Sequence, residues 1–476
     1  MRRARLVACV AAVLGGCMAG PDYRRPALDM PPTWTVEAPW RIGSPADTEP
    51  KGPWWQRFAD PTLDALERNA LESSPTLAAA RSRVDQARAV ERAAEAGLLP
   101  SLNFTTRAAR GRISANRPLT NYQSPNFSTV QNDFLPAFSA SYELDLAGRV
   151  RRTIEGAQAS AQQSAADLEN TRLVLTADLA TAYFSVREVD IELDVLRRSI
   201  DLQRRSLDLA TARHDLGATS GLDVAQQQAL LDSTLTQVDL LVRQRAQFEH
   251  ALATLAGHPA PVFSLAPDVH ALAPPDVPIG VPSDVLERRP DVASAERAMA
   301  AANAQIGVAT AAFYPSIALG ASYGLESRSL ATLFDAPSLV WSLGVSLVQP
   351  VIDSGRLAAN VDFTRAGYDF TVANYRRVVL NAMQEAEDGI TGLGALERAS
   401  VQAEAAIGSA QRVLDLASAR YEGGVATYLD VITAQQALLN GERLAAQLRG
   451  QRMLTAVFLV RALGGDWAGA SSLARQ

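Results

Sequence analysis

Few side chains in this 476-residue chain are placed to do chemistry. His214, His250, His258 and His270 are its four histidines, and their separations do not match those of metal-ligand pairs. Gly392-Leu393-Gly394 follows no strand pattern and lacks the third glycine of a dinucleotide-binding turn. The sequence therefore predicts no enzyme, no catalytic residue, no metal and no cofactor. The nucleophile with a telling context is Cys17. Arg2, Arg3 and Arg5 precede an apolar run from Leu6 to Leu14 that is too short to cross a bilayer, and Leu14-Gly15-Gly16 puts small residues just before Cys17. This is the layout of a secretory signal. Cleavage before Cys17 would remove Cys9, the other cysteine, and leave a single thiol at the new N-terminus.

The stretch Leu14 to Cys17 resembles a bacterial lipobox, which implies a signal peptide over residues 1–16, a diacylglyceryl thioether at Cys17 and fatty acylation of its amine. An ordinary signal peptide with an incidental cysteine is the alternative. Several acyl chains anchor a protein stably where one binds only marginally. Met18, not aspartate, follows the cysteine, and by the sorting rule for such lipoproteins this favours the outer membrane.

A second set of patterned residues makes turns. Arg213, Gly217, Ser220, Leu222, Asp223 and Val224 recur as Arg420, Gly424, Thr427, Leu429, Asp430 and Val431, at a constant offset of 207. Each set reads as a helix C-terminus, a glycine able to turn left-handed, an N-capping hydroxyl and an aspartate three residues on that completes a capping box. Two roles fit such turns: closing a helical hairpin, and offering an exposed surface to a partner.

Long helices must carry these turns. Arg149 to Leu216 and Arg356 to Glu422 contain no proline, and as continuous helix each spans about 100 Å, some three times the thickness of a bilayer core. Leu175, Leu179, Ala182, Val186, Val189, Leu193, Leu196 and Ile200 alternate spacings of four and three, a heptad seam. Leu231, Leu235, Val238 and Val242 are the matching stripe expected on the returning helix. The shorter helix from Pro75 is expected to stack end to end with the first return, and that from Pro290 with the second. Gly257 to Pro282, Trp54 to Ser74 and the tail after Gly464 are expected to form a belt.

At the other ends of the long helices the period changes to two. Leu102, Phe104 and Thr106 alternate with Asn103, Thr105 and Arg107; Phe138, Ala140, Tyr142 and Leu144 with Ser139, Ser141 and Glu143. Residues Ile113 to Asn132 read as a loop. Ile317, Leu319, Ala321 and Tyr323, then Leu339, Trp341, Leu343, Val345 and Leu347, repeat the pattern in the second half. Such strands match a transmembrane β-barrel. Four strands cannot close one and lipid tolerates no open edge, so several chains must share a barrel. The net charge of −6 and the lack of a basic stripe point away from nucleic acid.

Four stretches carry a family resemblance: Gly20-Pro21-Asp22-Tyr23-Arg24-Arg25-Pro26, Trp54-Trp55 with Phe58 to Leu63, Val281 to Val292 with Ala295-Glu296, and Phe313-Tyr314-Pro315-Ser316-Ile317. With these the chain resembles the TolC-like outer-membrane efflux proteins, specifically the lipoprotein branch that serves RND pumps (NodT type). The resemblance implies a homotrimer, mainly α with a membrane β-barrel, whose duplicated helix-strand-strand-helix halves form a 12-strand β-barrel continuous with a periplasmic 12-helix α-barrel. It implies a passive exit duct in the outer membrane, docked through a periplasmic adaptor to an inner-membrane RND pump and exporting drugs or other toxic compounds. Gly217, Ser220, Leu222, Asp223, Gly424, Thr427, Leu429 and Asp430 match the family's tip turns, where adaptor docking and gating are expected. Ala426 stands where some members carry a pore-ringing aspartate, which leaves Asp430, Glu422 or Asp215 as candidates.

The organisation expected is a signal peptide at 1–16, a lipidated extended tether at 17–53, a first repeat at 54–256, an equatorial linker at 257–289, a second repeat at 290–463 and a C-terminal tail at 464–476. Strands are expected at about 101–112, 133–147, 315–325 and 339–350, with long hairpins at 149–256 and 356–463. A channel for type I protein secretion shares these features, and a lipid-anchored periplasmic coiled-coil scaffold shares the long helices but needs no strands.

Overall fold

The computed structural model describes residues 18–25, 52–116, 129–270, 273–275 and 289–465. Cys17, the signal peptide, most of the tether, residues 281–288 and the tail from 466 lie outside the described residues. In order come α1 (Pro61–Ser73), α2 (Pro75–Glu95), β1 (Ser101–Ile113), β2 (Thr129–Leu144), α3 (Arg149–Asp215) and α4 (Gly221–Leu255). Then follow α5 (Pro290–Ala311), β3 (Ser316–Leu325), β4 (Leu339–Val348), α6 (Arg356–Glu422) and α7 (Tyr428–Ala462). Helices α3 and α6 have 67 residues each and α4 and α7 have 35, so the two halves match element by element. No described helix is long and apolar enough to cross a membrane. Contacts divide the chain into two units that cut across the halves: Met1–Pro26, Arg83–Ser164 and Ala295–Tyr375, and Ala27–Ser82, Ala165–Ser294 and Arg376–Gln476.

The first unit holds one antiparallel sheet in the order β1-β2-β3-β4. Its register aligns Phe104, Phe138, Tyr323 and Trp341 in a single row across all four strands, and all four side chains are exposed. Rows of Leu102, Ala140, Ala321 and Leu343, of Tyr142, Leu319 and Val345, and of Leu144, Ile317 and Leu347 continue that face towards the helices. The opposite face is small and polar, with Asn103, Ser139, Ser322 and Ser342 in one row and Ser101, Ser141, Gly320 and Gly344 in another. This is the alternation of a barrel strand with one face in lipid and one in water.

Strand β2 departs from its expected limits. It starts at Thr129, inside the stretch read as a loop, and ends at Leu144 rather than 147. Asp145 explains the early end, because its carboxylate accepts from the Val150 and Arg151 amides at 3.0 Å and caps α3. Asp353 caps α6 in the same way, accepting from Leu357 N at 2.8 Å, and β4 stops at Val348, two residues before Pro350. A carboxylate committed to a cap cannot also continue a strand.

The residues after Cys17 form a strap packed on helices. Ala19 N donates to Ala147 O at 3.0 Å, and Asn303 Nδ2 donates to Pro21 O at 2.9 Å. Arg152, 2% exposed, donates to Ala19 O at 3.2 Å, Asp22 at 2.9 Å and Glu155 at 2.7 Å. Arg25 Nε reaches the Tyr375 hydroxyl at 3.1 Å. Gly20 has φ +89°, and a Cβ there would stand 2.6 Å from Gly307 Cα, so only glycine lets the strap lie this close.

In the second unit all eight residues of the heptad seam from Leu175 to Ile200 are buried. The stripe on the return is half of the one expected: Leu231 is buried and Val238 packs on the seam, but Leu235 and Val242 are exposed, and Gln227, Leu230, Thr234 and Leu241 line the packed face. Adjacent apolar pairs at Leu230-Leu231 and Leu240-Leu241 made two faces equally readable, and polar Gln227 and Thr234 lie on the one that packs. Trp54 and Trp55 are buried with Leu63, Leu66 and Ala70 of α1 against Leu175 and Leu179, and Trp54 Nε1 donates to Thr176 Oγ1 at 3.1 Å.

The short helices meet end to end as expected. Ser73 Oγ, just before α2, donates to Ala256 O at the end of α4, 3.1 Å away. Arg289, just before α5, donates to Ala462 O at the end of α7, 3.0 Å away. A buried charge network that the sequence did not suggest ties down the linker: Asp190 accepts from Arg187 at 3.1 Å, from Arg245 at 2.6 Å and from Asp268 N at 3.1 Å. Arg187 and Arg245 in turn donate to Ala266 O and Leu265 O, both at 2.7 Å. Each arginine thus holds a linker carbonyl, and that of the buried Leu265 would otherwise be costly to leave unpaired.

Candidate functional site

The candidate site is the pair of turns that join α3 to α4 and α6 to α7. Both glycines adopt the left-handed conformation, Gly217 with φ +76° and Gly424 with φ +73°. Ala218 N closes on Arg213 O at 2.8 Å and Gly217 N on His214 O at 2.8 Å; Val425 N closes on Arg420 O and Gly424 N on Tyr421 O, both at 3.0 Å. Each is a Schellman ending, which satisfies the last carbonyls of a long helix without a partner.

The caps then differ between the copies. At the second turn Asp430 accepts from Thr427 N and Thr427 Oγ1, each at 3.1 Å, and the capping box is formed. At the first, Ser220 Oγ accepts from Leu222 N at 3.0 Å, but Asp223 takes a bond from the Thr219 hydroxyl instead of reaching back to Ser220 N. The expected box is therefore half made there, because a threonine beside the cap offers a stronger donor to the carboxylate.

The turns leave apolar side chains in the open. Leu222 is 62% exposed and Leu429, its counterpart, 55%. Leu216 and Val425 are more exposed still.

Behind the turns the two hairpins are latched by residues that no motif announced. The Tyr421 and Tyr428 rings lie 4.9 Å apart, the Arg213 guanidinium stands 5.0 Å from the Tyr421 ring, and the Tyr421 hydroxyl is 3.5 Å from Thr219 Oγ1. Tyr428 donates to Gln227 Oε1 at 3.0 Å, Gln227 donates to Gln203 O at 3.0 Å, and Gln435 donates to Ser206 Oγ at 3.0 Å. Burial, reinforced by Tyr421, pushes the Tyr428 hydroxyl up to about 12, so it stays a neutral donor. A signal for these residues does exist: at the offset of 207, Tyr421 and Tyr428 stand where the first copy has His214 and Gly221. The copies diverge where they touch each other.

A cavity of about 330 Å³ opens beside the latch, lined by Leu202, Leu209, Leu414, Tyr421, Tyr428 and Leu438 among others. Among the described residues no cluster of His, Cys, Asp or Glu is arranged to hold a metal ion.

Comparison with known proteins agrees with this architecture. The profile of the family described as "Outer membrane efflux protein" matches residues 66–258 and 281–465. The chain is 33% identical over 456 residues to the "Pyoverdine export outer membrane protein OpmQ" of Pseudomonas aeruginosa, covering 96% of this chain and 95% of that protein. It is 32% identical to the "Toluene efflux pump outer membrane protein TtgF" of Pseudomonas putida, covering 99% and 98%. Among solved structures, the outer-membrane channel OprN superimposes with a TM-score of 0.86 at 27% identity, over 95% of this chain and 100% of that one. The open state of the Neisseria gonorrhoeae MtrE outer membrane channel does so with a TM-score of 0.79 at 28% identity, over 94% and 98%. With a matching profile across both halves and relatives of this likeness over nearly its whole length, the chain belongs to the outer membrane efflux protein family.

Proposed function

We propose that the two turns form the docking and gating end of an export duct. The protein is the outer-membrane channel of a tripartite efflux pump, a trimer that stands in the outer membrane, extends into the periplasm and works with an adaptor and an inner-membrane RND pump. On this reading Gly217, Ser220, Leu222, Asp223, Gly424, Thr427, Leu429 and Asp430 receive the adaptor at the periplasmic end. The observation that carries it is the pair Leu222 and Leu429: equivalent positions, both apolar, both exposed, on turns whose backbone is already satisfied. Such side chains leave most of their apolar surface in water, and burying it against a partner is favourable.

The duct does no chemistry. The small, polar face of the sheet lines the bore on this reading, and its middle rows present serine, glycine and asparagine with no charged group to hold a solute. Selection then belongs to the pump, and the cargo is the class of small toxic molecules that such a pump delivers. Cys17 carries the lipid anchor, and the strap from Ala19 to Arg25 that follows it in the sequence packs beside the start of α3.

A photo-crosslinking residue placed at Leu222 or at Leu429 tests the docking role in cells that express the cognate adaptor. Covalent capture of the adaptor from both positions, and not from Leu343 on the sheet, is the expected outcome. Capture from Leu343 alone, or from neither turn, contradicts it.

A further inference from the structure

We propose that the cavity beside the latch binds a small amphipathic amine, an ammonium group carried on an apolar or aromatic body. Its volume is about 330 Å³. That is the space of roughly eleven water molecules, room for a ligand of about ten to twelve non-hydrogen atoms. The floor is apolar: Leu202 of α3, Leu414 of α6, and Val431 and Leu438 of α7, with the rings of Tyr421 and Tyr428. Every residue that lines the cavity belongs to the second unit.

One edge is polar, and its charge has a single sign. Gln411, Asp415, Ser418 and Glu422 line the cavity at spacings of four, three and four, a stripe along one face of α6. Asp415 and Glu422 carry the only charges in the lining; no arginine, lysine or histidine is part of it. Arg213, 5.0 Å from the Tyr421 ring, does not line the cavity. Asp415 Oδ1 accepts from Gln411 Nε2 at 2.9 Å, and Glu422 makes no ion pair among the described residues. Both carboxylates belong to exposed residues, so each keeps its charge at the mouth of an otherwise apolar space.

Gln435 is an independent pointer to a ligand. It lines the cavity and is 5% exposed, its Nε2 donates to Ser206 Oγ at 3.0 Å, and its Oε1 has no hydrogen-bond partner among the described residues. Buried amide oxygens are nearly always paired. An N–H group brought into the cavity is the donor that is missing.

These features select one chemistry. An anion would meet two like charges. A neutral apolar molecule fills the floor but leaves the carboxylates unpaired. An ammonium forms charge-assisted hydrogen bonds at the edge while its body packs on the leucines and tyrosines. The inference rests on the cavity alone and not on the docking or gating role of the turns.

The test equilibrates the purified trimer in a non-ionic detergent, near neutral pH, with phenylbutylamine, phenylbutanol or phenylbutyrate, which present an ammonium, a hydroxyl and a carboxylate on one kind of body. Bound ligand is measured by equilibrium dialysis. Leu209→Trp, which fills the cavity from α3, is the blank for uptake by micelles. We expect the wild type to bind the amine about tenfold more tightly than the alcohol, and to bind the carboxylate no better than the blank does. Asp415→Asn/Glu422→Gln should bind the amine about tenfold more weakly and no longer prefer it to the alcohol. Amine binding equal to that of the blank, equal affinity of the wild type for all three ligands, or an undiminished preference in the double variant overturns the proposal. If Leu209→Trp does not assemble, the amine-to-alcohol ratio of the wild type against the double variant decides alone, since both replaced carboxylates are exposed. Conductance of the same proteins reports on the duct separately: loss of amine binding with an unchanged channel leaves the duct reading intact.

Discussion

The Tyr428 hydroxyl donates to Gln227 Oε1 across 3.0 Å, joining the first turn of α7 to the second turn of α4 in a buried contact. Gln227 is fully buried, so removing its partner leaves an amide oxygen short of a donor. Tyr428→Phe is expected to weaken the latch by about 1–3 kcal/mol. Hydrogen exchange of the amides from His214 to Asp223 checks this: they should lose protection while those of the seam at Leu179 to Leu196 keep theirs.

The same hydroxyl gives a pH dependence. Its folded value is raised from 10.0 to about 12, so the phenol is harder to ionise in the folded protein than in the unfolded chain. The stabilisation is complete below pH 10 and is lost as pH rises from 10 towards 12. Protection of the turn amides in the wild type should fall over that window. In Tyr428→Phe it should be lower throughout and not fall further on this account.

Glu188 titrates where it matters physiologically. Burial, with Glu192 nearby, raises its carboxyl from 4.5 to about 7. The acid form is favoured by folding, so stability is highest below pH 4.5, declines as pH rises to about 7 and is level above that. The difference is at most about 2–3 kcal/mol, reduced by the water that reaches a half-buried group. Melting temperature of the detergent-solubilised trimer should therefore drop between pH 5 and 7, and Glu188→Gln should flatten that slope, leaving the part contributed by Glu67 and Asp178, whose carboxyls burial also raises.

The two faces of the sheet predict opposite outcomes for the same side chain. Leu343→Arg places a guanidinium in the apolar rows and should cost about 2–4 kcal/mol of membrane stability. Ser342→Arg, its neighbour on the polar face, should assemble normally and shift ion selectivity towards anions. Heat-resistant oligomer on a gel and reversal potential in a planar bilayer distinguish them; the reverse assignment of the two variants would mean the faces are inverted.

Gly20→Ala tests the strap. A methyl group meets the Gly307 backbone and φ +89° is unfavourable for alanine, a combined cost on the order of 1–3 kcal/mol. The expected readout is faster tryptic cleavage after Arg24, with the 67-residue helices still resistant.

Much of this architecture is legible in the sequence because it rests on long periods. A heptad seam from Leu175 to Ile200, alternating strands and turns repeated at an offset of 207 are each sustained over enough residues to leave one reading. The failures lie where the pattern is short or the partner distant. Leu235 and Val242 were placed on the packed face because apolar residues run together there, and polar Gln227 and Thr234 took the buried positions instead. Strand β2 overran its true end because Asp145 alternates like a strand residue but is spent on a cap. At the turns, the repeat exposed Gly217, Leu222, Asp223 and their copies but hid Tyr421 and Tyr428, which exist only in the second half. Arg152, Asn303 and Gly307 seat the strap through contacts more than a hundred residues apart, which no local pattern encodes.

On the proposed gating role of the turns, the contacts of Arg213, Tyr421 and Tyr428 behind them keep the end of the duct narrow. Single-channel conductance of the purified trimer in planar bilayers checks this, comparing the wild type with Arg213→Ala/Tyr421→Ala at the same cross-linked mass. A small, mostly closed conductance is expected in the wild type and a larger, longer-lived one in the variant. A trimer that forms no pore, or one whose conductance is unchanged by the double substitution, contradicts it.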